Sequence, residues 1–294
     1  MLVAVTGGMD SDGAIAIAHA IERRYGSAVL AIQVMDTSVV ALPAPLSSAF
    51  TMARSLIGDA PYADDALARQ RQFAAITGVP NEWPVHVSVG TPSEEILRYA
   101  RKEGVALIAM GLRRHGLAHR VLDDETTLTV ARHAHTTVLG VVPDLRALPR
   151  RAVVGVDFGP ASIRAARAAL DLLARPVSHE GAALRLVYVD RREGTEPEPE
   201  AAGSTLIARL GVQAAFEQLL QELDAPAHVR VDCTTLYGSP AQELLAFATE
   251  TDSDLIAVGS VRHERVERWM LGSVTTDIIR DGRCSVLVIP PPHT

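Results

Sequence analysis

Short apolar runs alternate with amphipathic stretches along the whole chain. The runs are rich in Val, Ile and Leu, and each one is followed by a stretch with the spacing of a helix that buries one face. Alternation of this kind is typical of a mostly parallel sheet with helices on both faces. In the first half it predicts strands at Leu2–Thr6, Ala28–Met35, Val85–Val89, Ala106–Gly111 and Thr137–Val142, and helices at Asp10–Tyr25, Ala63–Thr77, Pro92–Glu103 and Glu125–Ala134.

The second half of the chain repeats the first. Gly90–Leu97 returns as Gly238–Leu245, and Leu107–Gly111 returns as Leu255–Gly259, both 148 positions later. The first strands match at a spacing of 151, and the second strands match best at 154. A repeat of this length predicts two similar domains, 1–143 and 151–294, joined by an aperiodic linker. Each is predicted to be an α/β domain with a doubly wound, mostly parallel, Rossmann-like sheet of five strands.

Composition and charge narrow the class of protein. Hydrophobic residues make up 48% and charged residues 21%, which is ordinary for globular domains. The formal net charge of −7 argues against nucleic acid or an anionic membrane as a partner. Cys233 and Cys284 lie far apart, so we expect buried, unpaired thiols in a reducing compartment. No apolar run approaches the roughly 20 residues that cross a bilayer, and no signal-peptide pattern precedes the first strand. These features predict a cytoplasmic protein.

Two features of the second domain fall where open parallel sheets bind ligands, at the carboxyl ends of the strands. Asp157 follows the first strand of this domain, and its carboxylate is placed to accept hydrogen bonds from a ribose hydroxyl or an adenine amine. A strand ends on Gly259, and after a loop Gly272 and Ser273 open the next helix. The free amides at a helix start form an anion site, so this edge is the candidate ligand site.

The spacing of this loop resembles the nucleotide motif of universal stress proteins. Members that bind ATP carry a Gly, two residues, a second Gly, nine residues, and then a Gly followed by Ser or Thr. Gly259, Gly272 and Ser273 fit that spacing, whereas Arg262 stands at the middle glycine. Asp157 also resembles the family, and the resemblance extends over nearly the whole chain, twice. The chain is therefore similar to a tandem universal stress protein.

The resemblance implies a nucleotide-sensing or scaffold protein rather than an enzyme, with at most weak nucleotide hydrolysis. It places ATP or AMP in the second domain, with adenine against the backbone near Val189 and phosphates at Gly272, Ser273 and Val274. No metal is expected beyond the Mg²⁺ that accompanies a nucleotide. The resemblance also implies approximate two-fold symmetry between the domains. It leaves the protein partners unknown and a homodimer open.

Arg262 leaves two interpretations of the motif open. Its guanidinium can pair with the phosphates, or its side chain can block them. A residue that replaces a glycine with positive φ would also cost roughly 1–2 kcal/mol. Arg114 stands at the matching place in the first domain.

The first domain has lost more of the motif. Thr6 replaces the rim aspartate, and Asp124 with Glu125 replaces the Gly–Ser pair. Carboxylates in the first turn of a helix favour the helix dipole but would repel a triphosphate. The first domain is therefore predicted to be a structural partner with a degenerate site.

Two other functions stay open from the sequence alone. One is a purely structural or interaction protein that binds no nucleotide. The other is an AMP-forming enzyme, because Thr6–Ser11 reads Thr-Gly-Gly-Met-Asp-Ser and resembles the pyrophosphate loop of ATP pyrophosphatases. Glycine amides in such a loop suit phosphate, but no acceptor-substrate domain is evident. A histidine cluster in the first domain lacks cysteine, and we predict no metal site from it: His115, His119, His133 and His135.

Overall fold

The computed structural model describes residues 1–5, 11–36, 78–80, 82–112, 123–173, 181–191, 202–260 and 271–292. The chain divides into two compact units, Met1–Ala147 and Leu148–Thr294. Each unit is an α/β domain built on a parallel sheet. The predicted helix at Ala63–Thr77 lies outside the described residues.

The described part of the first domain has five strands in the order β3-β2-β1-β4-β5, and every pairing described among them is parallel. The helices described in this domain are α1 (Asp12–Tyr25), α2 (Pro92–Lys102) and α3 (Asp123–His133). The strands are β1 (Leu2–Val5), β2 (Leu30–Asp36), β3 (Val85–Gly90), β4 (Leu107–Gly111) and β5 (Thr137–Val141).

The second domain repeats this arrangement with the order β8-β7-β6-β9-β10, again with parallel pairings. Its helices are α4 (Pro160–Leu173), α5 (Ala202–Leu223), α6 (Pro240–Glu250) and α7 (Ser273–Asp281). Its strands are β6 (Arg151–Gly155), β7 (Ala182–Asp190), β8 (Val229–Tyr237), β9 (Leu255–Gly259) and β10 (Ser285–Ile289).

Helices cover both faces of the second sheet. Helix α4 packs on β6, β9 and β10 and contacts α5, whereas α6 packs on β6 and β7 and contacts α7. The core between them is aliphatic, with Leu184, Leu186 and Ile256 fully buried. The predicted fold class, two doubly wound five-stranded domains in tandem, is confirmed. The approximate two-fold relation between the domains stays a prediction.

The strand register corrects one detail of the repeat. Leu2 lies opposite Leu30, and Val153 lies opposite Arg185. Leu2 and Val153 are 151 positions apart, as predicted for the first strands. Their partners, Leu30 and Arg185, are 155 positions apart, so the second strands correspond at a spacing of 155 rather than the predicted 154. The sequence match had paired Leu30 with Leu184, which is fully buried, whereas Leu30 and Arg185 are both half-buried. Apolar identity was thus a poorer guide to the correspondence than strand pairing and burial, because Leu30-Ala31-Ile32 and Arg185-Leu186-Val187 share one burial pattern.

None of the helices in the described parts of the chain is long and apolar enough to cross a membrane.

Candidate functional site

Asp157 lies just beyond β6 and holds the turn into α4. Its Oδ1 atom accepts a hydrogen bond from the backbone N–H of Gly159 at 2.9 Å and another from the Ser162 hydroxyl at 2.7 Å. Its side chain is exposed, and Oδ2 accepts no hydrogen bond from the residues that the structure describes. One carboxylate oxygen therefore orders the chain, and the other is available to a donor from a ligand.

Phe158 completes this turn in an unusual backbone conformation. Its φ is 61°, in the left-handed region, which costs an L-residue about 1–2 kcal/mol. The ring stacks on Tyr188 with centroids 5.4 Å apart and meets Phe216 edge-on at 5.0 Å. Sequence reasoning missed Phe158. The Asp-Phe-Gly-Pro run marks a turn, but it does not indicate which residue takes the left-handed conformation.

Gly259 is required by packing. A Cβ atom at this position would lie 2.1 Å from the carbonyl oxygen of Ala161, so a side chain would force α4 away from β9. The next residue, Ser260, donates its backbone N–H to Ile289 at 2.8 Å, and this bond extends the ladder between β9 and β10. The close approach of α4 accounts for the first glycine of the motif without a ligand.

Gly272 is not explained in the same way. It is the N-cap of α7, with φ −59° and ψ 153°, a conformation open to any residue. A Cβ atom there would meet nothing within 4 Å among the described residues. Ser273 beside it is exposed and Val274 is half-buried. The first amides of α7 have no partner within the helix, and no side-chain cap is formed by the described residues.

The remaining predicted positions fall on the carboxyl edge of the same sheet. Val189 is half-buried and lies one residue before the end of β7, opposite Leu236 of β8. Strand β6 has β7 on one side and β9 on the other, so Asp157, Val189 and Gly259 follow or occupy the ends of three adjacent parallel strands. Helix α7 begins at this edge because it leads from the end of β9 back to the start of β10. Arg262 lies outside the described residues.

The corresponding edge of the first domain is described only in part. Thr6, Arg114 and most of the Thr6–Ser11 loop lie outside the described residues. Ser11 is the N-cap of α1 by position, but its side chain makes no capping hydrogen bond. Helix α3 begins at Asp123, so Asp124 and Glu125 fall in its first turn.

The cysteines differ from the prediction that both are buried. Cys284 is half-buried, and burial raises the pKa of its thiol to about 12. Cys233 is exposed, and the prediction is wrong for it, because β8 is the outermost described strand of its sheet. Partial burial, together with Asp232, still raises the pKa of the Cys233 thiol. Both shifts disfavour the thiolate, which is the reactive form.

Candidate metal ligands do not converge in the described parts of the chain, where no three His, Cys, Asp or Glu side chains could hold one ion. His133 is exposed, and its Nδ1 lies 2.9 Å from the carbonyl oxygen of Thr129 one helical turn earlier. His115 and His119 lie outside the described residues.

Comparisons with known proteins agree with the family resemblance and the fold. A model of the universal stress protein family matches residues 1–142 and, separately, residues 149–290. A universal stress protein of Methanocaldococcus jannaschii is 29% identical over 147 residues, which make up 49% of this chain and 84% of the relative. The crystal structure of a universal stress protein from Archaeoglobus fulgidus has a TM-score of 0.61 at 18% identity and covers 98% of both chains. A putative universal stress protein from Pseudomonas aeruginosa has a TM-score of 0.58 at 14% identity, over 99% of this chain and 93% of that one. At these identities the two structures show a shared fold.

Proposed function

This chain belongs to the universal stress protein family, with two family domains in tandem, and from that premise we propose that it is a non-catalytic stress-response protein whose second domain binds ATP or AMP. It acts through conformation or through protein partners. We place it in the cytoplasm on the grounds of its acidic charge and its two unpaired thiols.

The observation that carries the proposal is the contrast between the two glycines of the motif. The close approach of α4 accounts for Gly259, whereas neither backbone conformation nor packing against described residues accounts for Gly272. A phosphate bound at the start of α7 would explain why glycine stands at position 272, because a side chain there would occupy the space beside the first amides of the helix. The amides of Ser273 and Val274 then donate to the phosphate oxygens.

Asp157 supplies the recognition of the nucleoside. Its Oδ1 atom is engaged by Gly159 and Ser162, which fixes the carboxylate plane and leaves Oδ2 to accept from a ribose hydroxyl or an adenine amine. A carboxylate oxygen is a strong acceptor for the hydroxyl or amine of a nucleoside. Adenine lies against the backbone near Val189, at the end of the neighbouring strand. Any Mg²⁺ arrives with the phosphates rather than on a protein ligand set.

The first domain serves as the structural partner. Asp124 and Glu125 stand in the first turn of α3, where the second domain has Gly272 and Ser273 at the start of α7. Two carboxyl groups at a helix start stabilise the helix and disfavour a polyphosphate at the same position.

Calorimetry on the full chain tests the proposal with ATP and AMP. Asp157→Ala and Gly272→Asp are each expected to weaken ATP binding, the first by removing an acceptor and the second by placing a carboxylate at the phosphate position. Gly211→Asp is the matched control, since it adds the same charge at an exposed glycine of α5 with open space around it. Unchanged affinity in both site variants would remove this site.

The two alternative functions give different results in the same assay. A purely structural or interaction protein binds neither nucleotide. An AMP-forming enzyme that uses Thr6–Ser11 releases pyrophosphate from ATP and loses that release on Asp10→Ala, while Gly272→Asp leaves it intact.

A further inference from the structure

We propose that Phe158 is a positioning residue of the nucleotide site, which holds the Asp157 carboxylate in place through an aromatic clamp with Tyr188 and Phe216. The inference rests on the proposed nucleotide site. It adds a residue that itself touches no nucleotide and yet controls how tightly the nucleotide binds.

The first step is the geometry of the turn. The Gly159 N–H reaches Oδ1 of Asp157, two residues earlier, because the chain reverses at Phe158, whose φ is 61°. Gly159 also sits tightly on the carboxylate, since a Cβ atom there would lie 3.1 Å from Oδ1. The conformation of Phe158 therefore determines where the Asp157 carboxylate points.

The second step is what keeps Phe158 in that conformation. Three non-glycine residues in the described parts of the chain have positive φ, and the other two, Asp224 and Asp252, follow the ends of helices. Aspartate tolerates the left-handed region because its short polar side chain bonds locally, whereas phenylalanine has no such help. A residue of this kind persists only where the surrounding structure over-determines it, and it tends to mark a functional site.

The third step is the clamp itself. Tyr188 comes from β7 and Phe216 from the buried side of α5, where only 7% of Phe216 is exposed. The two ring contacts therefore fix Phe158 from a strand and from a helix at once. Offset-stacked and edge-to-face rings have a preferred geometry, so the clamp sets an orientation as well as a distance.

The clamp joins the two sides of the proposed site. Phe158 follows Asp157 directly, and Tyr188 directly precedes Val189. The contact between the two rings thus fixes the carboxylate that accepts from the nucleoside relative to the strand end that carries the adenine. Helix α5 contacts Phe158 through Phe216. A change in the packing of α5 therefore changes nucleotide affinity, although α5 itself does not contact the nucleotide.

The test compares four full-length proteins. Phe158→Asn keeps a residue that tolerates positive φ but removes the ring, and Phe216→Leu removes the α5 ring without touching the turn. Phe158→Tyr keeps the ring and is the conservative control. Each is measured for ATP affinity by calorimetry and for exchange of the Gly159 amide hydrogen by NMR without ligand.

Loss of the clamp is expected to weaken ATP binding about tenfold or more, the scale of one hydrogen bond to a charged group. Gly159 exchange accelerates in Phe158→Asn and Phe216→Leu, while the Ile256 amide in the core keeps its protection. Phe158→Tyr is expected to keep both the ATP affinity and the Gly159 exchange rate of the parent protein. A role confined to stability would lower the unfolding midpoint and leave the affinity of the folded protein unchanged.

The outcomes separate this inference from the function on which it rests. If the parent protein binds ATP and both ring-removing variants bind it equally well, the clamp has no positioning role and the site stands. If the parent protein binds no adenine nucleotide, the proposed function fails, and the positioning role fails with it. Accelerated Gly159 exchange in that case would show only that the rings hold the turn.

Discussion

A methyl group added to Gly259 would lie 2.1 Å from the carbonyl oxygen of Ala161, whereas one added to Gly272 would meet no described atom within 4 Å. The same substitution is therefore expected to cost much more stability at Gly259 than at Gly272. Gly259→Ala should lower the free energy of unfolding by about 1–3 kcal/mol through overpacking. Gly272→Ala should change it by less than about 1 kcal/mol, because a φ of −59° suits alanine while glycine is the better N-cap residue. Urea unfolding without nucleotide measures both, and equal losses would contradict the packing account.

Arg262 is the other residue on which nucleotide binding depends. Its two interpretations predict different effects of substitution on ATP affinity. If the guanidinium pairs with phosphate, Arg262→Ala weakens ATP binding by about 1.5–3 kcal/mol, and less at high salt. If the side chain blocks the site, Arg262→Gly strengthens binding by restoring the glycine of the motif. Partial blockage, which weakens ATP binding without abolishing it, is the prediction here, because Arg114 occupies the matching place in the degenerate first domain. An Arg262→Gly protein that is folded and binds no better than the parent would count against it.

At the scale of single elements, the two cysteines report on the strands that carry them. Cys233 is exposed on β8, and Cys284 directly precedes β10, where burial raises its pKa to about 12. At pH 8 the thiol of Cys284 is therefore almost wholly protonated and shielded. Alkylation of the folded protein followed by mass spectrometry should label Cys233 first and Cys284 only after urea is added. Equal rates for the two thiols before unfolding would show that the end of the domain at β10 opens readily.

Helices and strands could be predicted from the sequence where apolar residues recur at a regular spacing. Strand register and side-chain exposure could not, because they depend on the neighbouring strands. The described strands and helices of the first domain fall within two residues of their predicted bounds, because burial sets the spacing of apolar residues. The register of β7 was missed by one residue, since the pairing partner decides it. The exposure of Cys233 follows from the place of β8 in the strand order, which the local sequence does not state.

For the candidate site, the sequence likewise predicted where the residues lie but not what they contact. Asp157, Val189 and Gly259 lie at adjacent strand ends, as expected for a doubly wound sheet, and Gly272 begins a helix. The sequence did not indicate that Gly259 serves packing or that Asp157 holds a turn. Both facts need the distance to α4, which depends on tertiary structure rather than on local spacing.

On the scale of the whole molecule, the two domains share one fold but differ in the residues at the carboxyl edge of the sheet. Both domains keep the strand order and the parallel sheet, because each needs them to bury its own aliphatic core. The edges are free to diverge, since residues beyond the strand ends contribute less to that core. In the second domain Gly272 and Ser273 stand at the start of α7, whereas Asp124 and Glu125 stand at the start of α3 in the first. The proposed nucleotide site is therefore confined to the second domain.

Hydrogen exchange of the full chain with and without saturating ATP, read by mass spectrometry of peptides, tests that account most directly. Bound nucleotide is predicted to slow exchange at the turn after β6 (157–163), at the end of β7 (187–190) and at the start of α7 (271–276). Peptides of the first domain, including the start of α3, should exchange at the same rate in both conditions. Protection in the first domain, or no protection at any of the three segments with ATP at millimolar concentration, would contradict the account.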